Sequence, residues 1–248
     1  LGTTAGGGYK VYAAGGYEAV EISTEAICFA LSRKTQQEIA QATGETYADQ
    51  GHDFYLLTVG DTTWTYDFQS NVWHTRHSFT SAVSGLLGAW RARWHCFAFN
   101  KHLWVDADSG VAYESDIEFA VDVDDLPIQR VRTTPAIFYR NQMLDLGDIE
   151  LIVETGVGNP NPPGDDPVVG LEISTDGGRT WGMQRWASIG REGDGTLRVR
   201  WLANGGGRKI ALRFTMSDPI NNYRLLQLLV ECYDERGREV NLETAKAA

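Results

Sequence analysis

The chain has 248 residues, 42% of them hydrophobic, and carries 33 acidic against 22 basic side chains for a net charge of -11. That length and apolar content suffice for one large all-β domain or two smaller ones, while the acidic balance argues against a surface that grips phosphate, because duplex binding rests on Lys and Arg. No run approaches the roughly 18 apolar residues of a membrane span, so membrane insertion is not expected.

The first ten residues, LGTTAGGGYK, contain no Met, which reads as a processed product or a fragment. Residues 1–20 are rich in Gly and Ala and lack periodicity, so an irregular arm is expected. Residues 22–44 carry the one helical signal. Thr24 is the cap, Ile27 and Leu31 lie four apart on one helix face, and Gly44 is the stop.

From about residue 48 the apolar period becomes two. Strands are predicted at 54–59, 63–68, 94–99, 102–105, 117–121, 149–153, 171–173, 196–202 and 209–216. In "TLRVRWL", Leu197, Val199 and Trp201 face one way and Arg198 and Arg200 the other. "LLQLLVECY" (225–233) is ambiguous by period and is assigned as a strand from its β-rich setting.

Two segments read as copies. "FYLLTVGDTTWTYDFQSNVWHT" and "CFAFNKHLWVDADSGVAYES" each hold an apolar run, a break, a second run, an Asp-x-x-Ser turn and an apolar return. Their aspartates, Asp67 and Asp106, lie 39 apart. A period near 40 with paired short strands fits β-propeller blades. Only two good copies are visible, so the ring is completed by degenerate blades or part of it lies elsewhere. Residues 156–168 hold four of the seven prolines and read as a long loop projecting from one β-domain. The expected division is an arm at 1–20, a propeller-like region at 21–134 and a β-rich, sandwich-like domain at 135–248. The fold class is all-β with one short helix near the N-terminus.

The most motif-like run is "STDGGRTW", an Asp box. Ser174 ends a strand, Asp176-Gly177-Gly178 makes a tight turn with the carboxylate accepting backbone N–H groups, and Thr180 and Trp181 fold back over it. This is a hairpin device. A sialidase would also need three arginines on separate strands to clamp a carboxylate and a pair of catalytic carboxyls. The arginines at 179, 185, 191, 198, 200, 208 and 213 instead cluster in one region, with Arg198 and Arg200 on one solvated or interfacial face. A carbohydrate-active or carbohydrate-binding propeller is the alternative reading, with no catalytic residue to assign.

Cofactor and metal signals are weak. "DADSG" (106–110) lacks the later ligands of a calcium loop and suits a hairpin turn. "DVDD" (122–125) reads as an exposed connection. His74 and His77, three apart on a strand, face opposite ways, and His52, His95 and His102 have no helpful spacing. "GGGRK" (205–209) reads as a hairpin tip. Cys28, Cys96 and Cys232 are far apart without a CxxC pair and are expected as reduced core residues. No cofactor and no metal are expected.

An ordered set of segments resembles one family. "GHDFYLLTV" with "TTWTYDFQSNVWHTR", preceded by "ISTEAI", is similar to the blade signature of the packaged-DNA stabilisation proteins of short-tailed phages, the tail hub or nozzle proteins. "SGVAYESDIEF", "LPIQRVRTTP", "LDLGDIELIVETGVGN", "PVVGLEISTDGGRTWG", "RVRW" and "LRFTMSDPI" follow in the family's order. The match runs from Ile22 to Ile220. The resemblance implies a structural, non-enzymatic virion tail protein made of a β-propeller and a β-rich domain. It also implies a hexameric ring below the portal and adaptor ring, contacted by tailspikes or fibres and a central needle. The ring would retain packaged DNA and pass it during ejection without specific binding. Here "LANGGGRK" replaces a more Arg-rich run of the family. Asp122, Asp124 and Asp125 are the acids expected to face a lumen, and Trp186 and the Pro-rich loop the groups expected at an interface.

Overall fold

The computed structural model describes residues 1–3, 7–80, 85–221 and 223–240. Residues 241–248, within the expected 135–248 domain, lie outside the described residues. The chain forms two compact units, Leu1–Asp116 and Ile117–Ala248.

In the first unit β1 (Gly2–Thr3) pairs with β2 (Tyr9–Lys10), and β3 (Tyr12–Gly15) pairs with β4 (Glu18–Glu21). The expected irregular arm therefore contains short antiparallel pairs. Helix α1 (Glu25–Ser32) starts where Thr24 accepts the Ile27 N–H at 3.4 Å, and it buries Ile27 and Leu31. It ends early, with Arg33 as C-cap. Thr35 then caps α2 (Gln36–Ala40) in a reciprocal box with Glu38. Two short helices replace the single one expected. Gly44, expected as the helix stop, sits inside β5 (Thr43–Asp49).

β5 begins an antiparallel meander with β6 (His52–Val59), β7 (Thr62–Asp67), β8 (Val72–Phe79) and β9 (Leu87–Ala89). A three-stranded sheet follows from β10 (Ala92–Ala98), β11 (Lys101–Asp106) and β12 (Ala112–Ser115). One face of the larger sheet buries Leu57, Val59 and Trp64 against Val11, Ile27 and Leu31. Each such aliphatic side chain contributes roughly 1.5–3 kcal/mol.

The second unit is a sandwich. β13 (Arg130–Thr133), β14 (Leu144–Val153), β15 (Val168–Ser174), β16 (Arg185–Ser188), β17 (Val199–Trp201), β18 (Gly206–Gly207), β19 (Ala211–Met216) and β20 (Leu225–Tyr233) build it. One sheet runs β13-β19-β15-β16. In the other, β14 pairs with β17 and β18 and also with β20. Ile149, Leu151, Leu171, Val199, Leu212 and Phe214 are among the buried side chains between them. β13 pairs with β19, so residues 130–133 belong with the sandwich, whereas the sequence division placed them before it.

Several expectations need correction. Residues 117–121 form no strand; Ile117 and Phe119 are exposed, and only Val121 bridges to Pro127. The strand expected at 196–202 shortens to three residues, with Val199 and Trp201 buried but Leu197 exposed. "GGGRK" is not a free tip, because Gly206 and Gly207 pair with Asp145 and Leu144. A Cβ on Gly206 would stand 2.3 Å from the Leu144 carbonyl oxygen, so only glycine allows this approach. Of the three cysteines only Cys232 is buried; Cys28 is half-buried and Cys96 is exposed on the outward face of β10. The Pro-rich stretch connects β14 to β15, and Asn159 ties it back by donating to the Pro163 and Pro219 carbonyls at 2.8 and 2.9 Å.

Candidate functional site

Turn chemistry organises the residues singled out by the sequence. In the first copy Asp67 ends β7 and accepts the Gln69 N–H at 2.9 Å, the Ser70 hydroxyl at 2.7 Å and His52 Nδ1 at 2.9 Å. The Ser70 hydroxyl leads in holding its pKa down to about 2. In the second copy Asp106 ends β11 and accepts the Asp108 and Ser109 N–H groups at 3.3 and 3.1 Å and the Ser109 hydroxyl at 2.5 Å. Arg91 adds a bidentate clamp at 2.9 and 2.6 Å and is the main cause of a carboxyl held far below its ordinary range. The oxygens of "DADSG" are thus spent on a hairpin turn.

The registers of the two copies coincide at the 39-residue spacing. Tyr55 pairs with Tyr66 and Leu57 with Trp64; Trp94 pairs with Val105 and Cys96 with Leu103. The third strands agree as well, Tyr66 opposite Trp73 and Val105 opposite Ala112.

The Asp box is a closed turn after β15. The Ser174 hydroxyl donates to Asp176 Oδ1 at 2.7 Å and accepts the Gly178 N–H at 2.8 Å. Asp176 also accepts the Arg179 and Thr180 N–H groups, both at 2.9 Å, and the Thr180 hydroxyl at 2.7 Å. These donors, Thr180 first, hold its carboxyl far below the ordinary range. Gly177 and Gly178 have φ of 80° and 94°, backbone that an L side chain resists. Trp181 lies 4.2 Å from the Arg213 guanidinium, which is clamped to Glu172 at 2.8 and 2.7 Å. The box is therefore pinned to the sheet it leaves.

The arginines do not converge on a shared anion site. Arg198 grips Glu150 at 2.7 and 2.5 Å, Arg200 faces Asp148 at 3.8 Å, Arg191 faces Asp166 at 3.5 Å and Arg213 holds Glu172. Asp122 accepts the Val123 N–H at 2.8 Å and opens a tight turn in which Asp124 and Asp125, both exposed, have φ of 61° and 56°. Trp186 stands opposite Gly170 on β16 and is 53% exposed.

One cluster escaped the sequence reading. His95 Nε2 lies 2.9 Å from His102 Nδ1, and His102 Nε2 lies 3.6 Å from Asp49. Tyr47 packs on both rings, and Trp104 packs on Tyr47 and His95. Burial first, then His102, pulls the His95 pKa down. The two histidines are diagonal neighbours across the β10–β11 hairpin, a relation that becomes visible only once the turn at 99–100 is placed.

These features define a two-part, all-β protein whose motif residues are spent on turns and cross-strand clamps. Two family models match it. Residues 1–119 match "Bacteriophage P22 Gp10, beta-propeller" and residues 129–225 match "Bacteriophage P22 Gp10, beta-sandwich". The chain belongs to this P22 Gp10 family of phage stabilisation proteins and is a structural phage protein. Asp122, Asp124 and Asp125 fall between the two matched segments. No curated protein matches the chain.

Proposed function

We propose that the chain is a tail hub, or nozzle, subunit of a short-tailed phage. It assembles as a hexameric ring below the portal and adaptor, holds packaged DNA in place and conducts it at ejection. The observation that carries this reading is the presence of both Gp10-type parts, in order, in one chain. The net charge of -11 supports it. An acidic ring repels phosphate within a Debye length of about 8–10 Å and so limits sticking of passing DNA.

We assign the exposed acids Asp124 and Asp125, with Asp122, to the lumen, and Trp186 and the Pro-rich loop to contacts with neighbouring subunits or with tailspikes, fibres and needle. The protein acts without a cofactor and without catalysis. Negative-stain electron microscopy of the concentrated protein is the direct test. Six-fold rings with an open centre are expected. Virions that keep their genomes and eject normally without this protein would refute the gating role.

A further inference from the structure

Four of the five histidines gather in one aromatic seam of the first unit, between the sheet β5–β9 and the small sheet β10–β12. Tyr47 and Phe54 stack with ring centroids 5.0 Å apart. His52 stacks on Phe54 at 5.8 Å and His74 meets its edge at 6.3 Å. From the small sheet, His95 and His102 reach Tyr47 at 5.5 and 6.1 Å. Trp104 packs on Tyr47 at 5.1 Å and on Trp90 at 4.9 Å.

This seam is what attaches the small sheet. Within β10–β12 only Trp104 and Asp106 are buried, and Asp106 is bound by Arg91, just before β10. Trp104 is therefore the one buried apolar side chain of the three strands, and it lies in the seam. Three strands need a packed apolar face to be stable. The larger sheet has a core of its own on the opposite face, where Leu57, Val59 and Trp64 meet Val11, Ile27 and Leu31.

Charged and titratable groups face the imidazoles from every side. Glu45 and Asp49 lie two residues either side of Tyr47 on the same face of β5, with Asp49 3.6 Å from His102 Nε2. β8 brings His74 and Arg76; Arg76 donates to the Tyr47 hydroxyl at 2.5 Å and lies over the Tyr47, Phe54 and Trp90 rings. His52 and Asp67 pair at 2.9 Å. Arg93 donates to the Trp90 carbonyl, and Tyr113 stands opposite Trp104. A first proton suits this setting. On His102 it faces Asp49, and Nδ1–H donates to His95 Nε2 at 2.9 Å. A second proton, on His95, puts positive charge on both rings at that separation, with Arg76 on the same Tyr47 ring. Burial, then His102, already lowers the His95 pKa, with Glu45 and Asp49 pulling the other way.

We propose that this seam is an acid-sensitive hinge: when His95 and His102 both carry a proton, β10–β12 separates from the larger sheet, which stays folded on its own core. The contact is held while His95 is neutral, and it is lost as pH falls below the ordinary imidazole value near 6.5. The hinge is a property of the single chain and does not depend on the ring reading above.

Backbone hydrogen exchange in the full chain, corrected for the intrinsic pH dependence of the exchange chemistry, is the test. Between pH 7.5 and 5, protection at 94–105 is expected to fall about tenfold or more while that at 54–66 holds. Titration of the carbon-labelled imidazoles by NMR is expected to show two proton uptakes at His95 and His102, with protection lost on the second. His95→Gln keeps a polar partner for His102 and cannot take the second proton, so its protection at 94–105 is expected to change little over the same range. Protection that is retained after both uptakes, that disappears with the first, or that falls equally in both sheets would overturn the inference, as would a wild-type loss undiminished in His95→Gln.

Discussion

Gly60 and Phe99 hold the same place in two hairpins 39 residues apart, each at the start of a two-residue turn and each at positive φ, 58° and 56°. The first copy uses the residue that tolerates this backbone. The second uses a bulky aromatic that is 91% exposed, so no packing among the described residues offsets the strain. Left-handed backbone costs an L residue about 1–2 kcal/mol. Phe99→Gly is therefore expected to stabilise the protein by about 1 kcal/mol in urea unfolding followed by tryptophan fluorescence. An unchanged or lower midpoint would refute the strain assigned to Phe99.

Asp106 is the more heavily committed of the two turn aspartates. Its side chain is almost fully buried, and Arg91 is bound to it bidentately. Removing one partner of such a pair leaves the other uncompensated, at a cost of about 3 kcal/mol. Asp106→Ala should show this in denaturant unfolding. The pH sign follows from the lowered pKa. The carboxyl stabilises the fold above its unfolded pKa near 4 and loses that effect as pH falls below it. Wild-type stability should therefore drop below about pH 4 more steeply than that of Asp106→Ala.

What the sequence made legible was local chemistry. Asp67 and Asp106 announced themselves because an Asp-x-x-Ser turn closes on its own backbone within four residues, and the same holds for Ser174 to Trp181. Long alternating runs such as 209–216 were legible for the same reason. β5 was not, because "TGETYAD" is polar and reads like a loop until β6 pairs with it. Residues 117–121 misled in the opposite sense: the run alternates like a strand but has no ladder to join. Cys96 and the His95–His102 contact depend on which strand lies opposite, a fact set by the hairpin register rather than by either residue's neighbours in sequence.

The Asp-box turn makes a prediction that separates structure from catalysis. Asp176 has its carboxylate filled by Ser174, Arg179 and Thr180. Asp176→Ala should lower the melting temperature of the sandwich unit, because four backbone or hydroxyl donors lose their acceptor. A fluorogenic sialoside should remain unhydrolysed by both proteins. Wild-type turnover abolished by Asp176→Ala would sink the structural reading of the box.

His95 gives a pH dependence of its own near neutrality. Burial and the adjoining His102 lower its pKa, so the unfolded chain takes up a proton, near pH 6.5, that the folded chain resists. The unfolded state then binds more protons, and stability falls as pH drops below that value. His95 Nε2 stands 2.9 Å from His102 Nδ1, so positive charge on both rings would be mutually repulsive. Glu45 and, more weakly, Asp49 partly offset this by favouring the charged form of His95 through space. His95→Gln preserves a polar partner for His102 and removes the titration. Urea midpoints measured between pH 7.5 and 5 should fall more steeply for the wild type than for His95→Gln; parallel curves would show that the imidazole pair does not sense pH in this range.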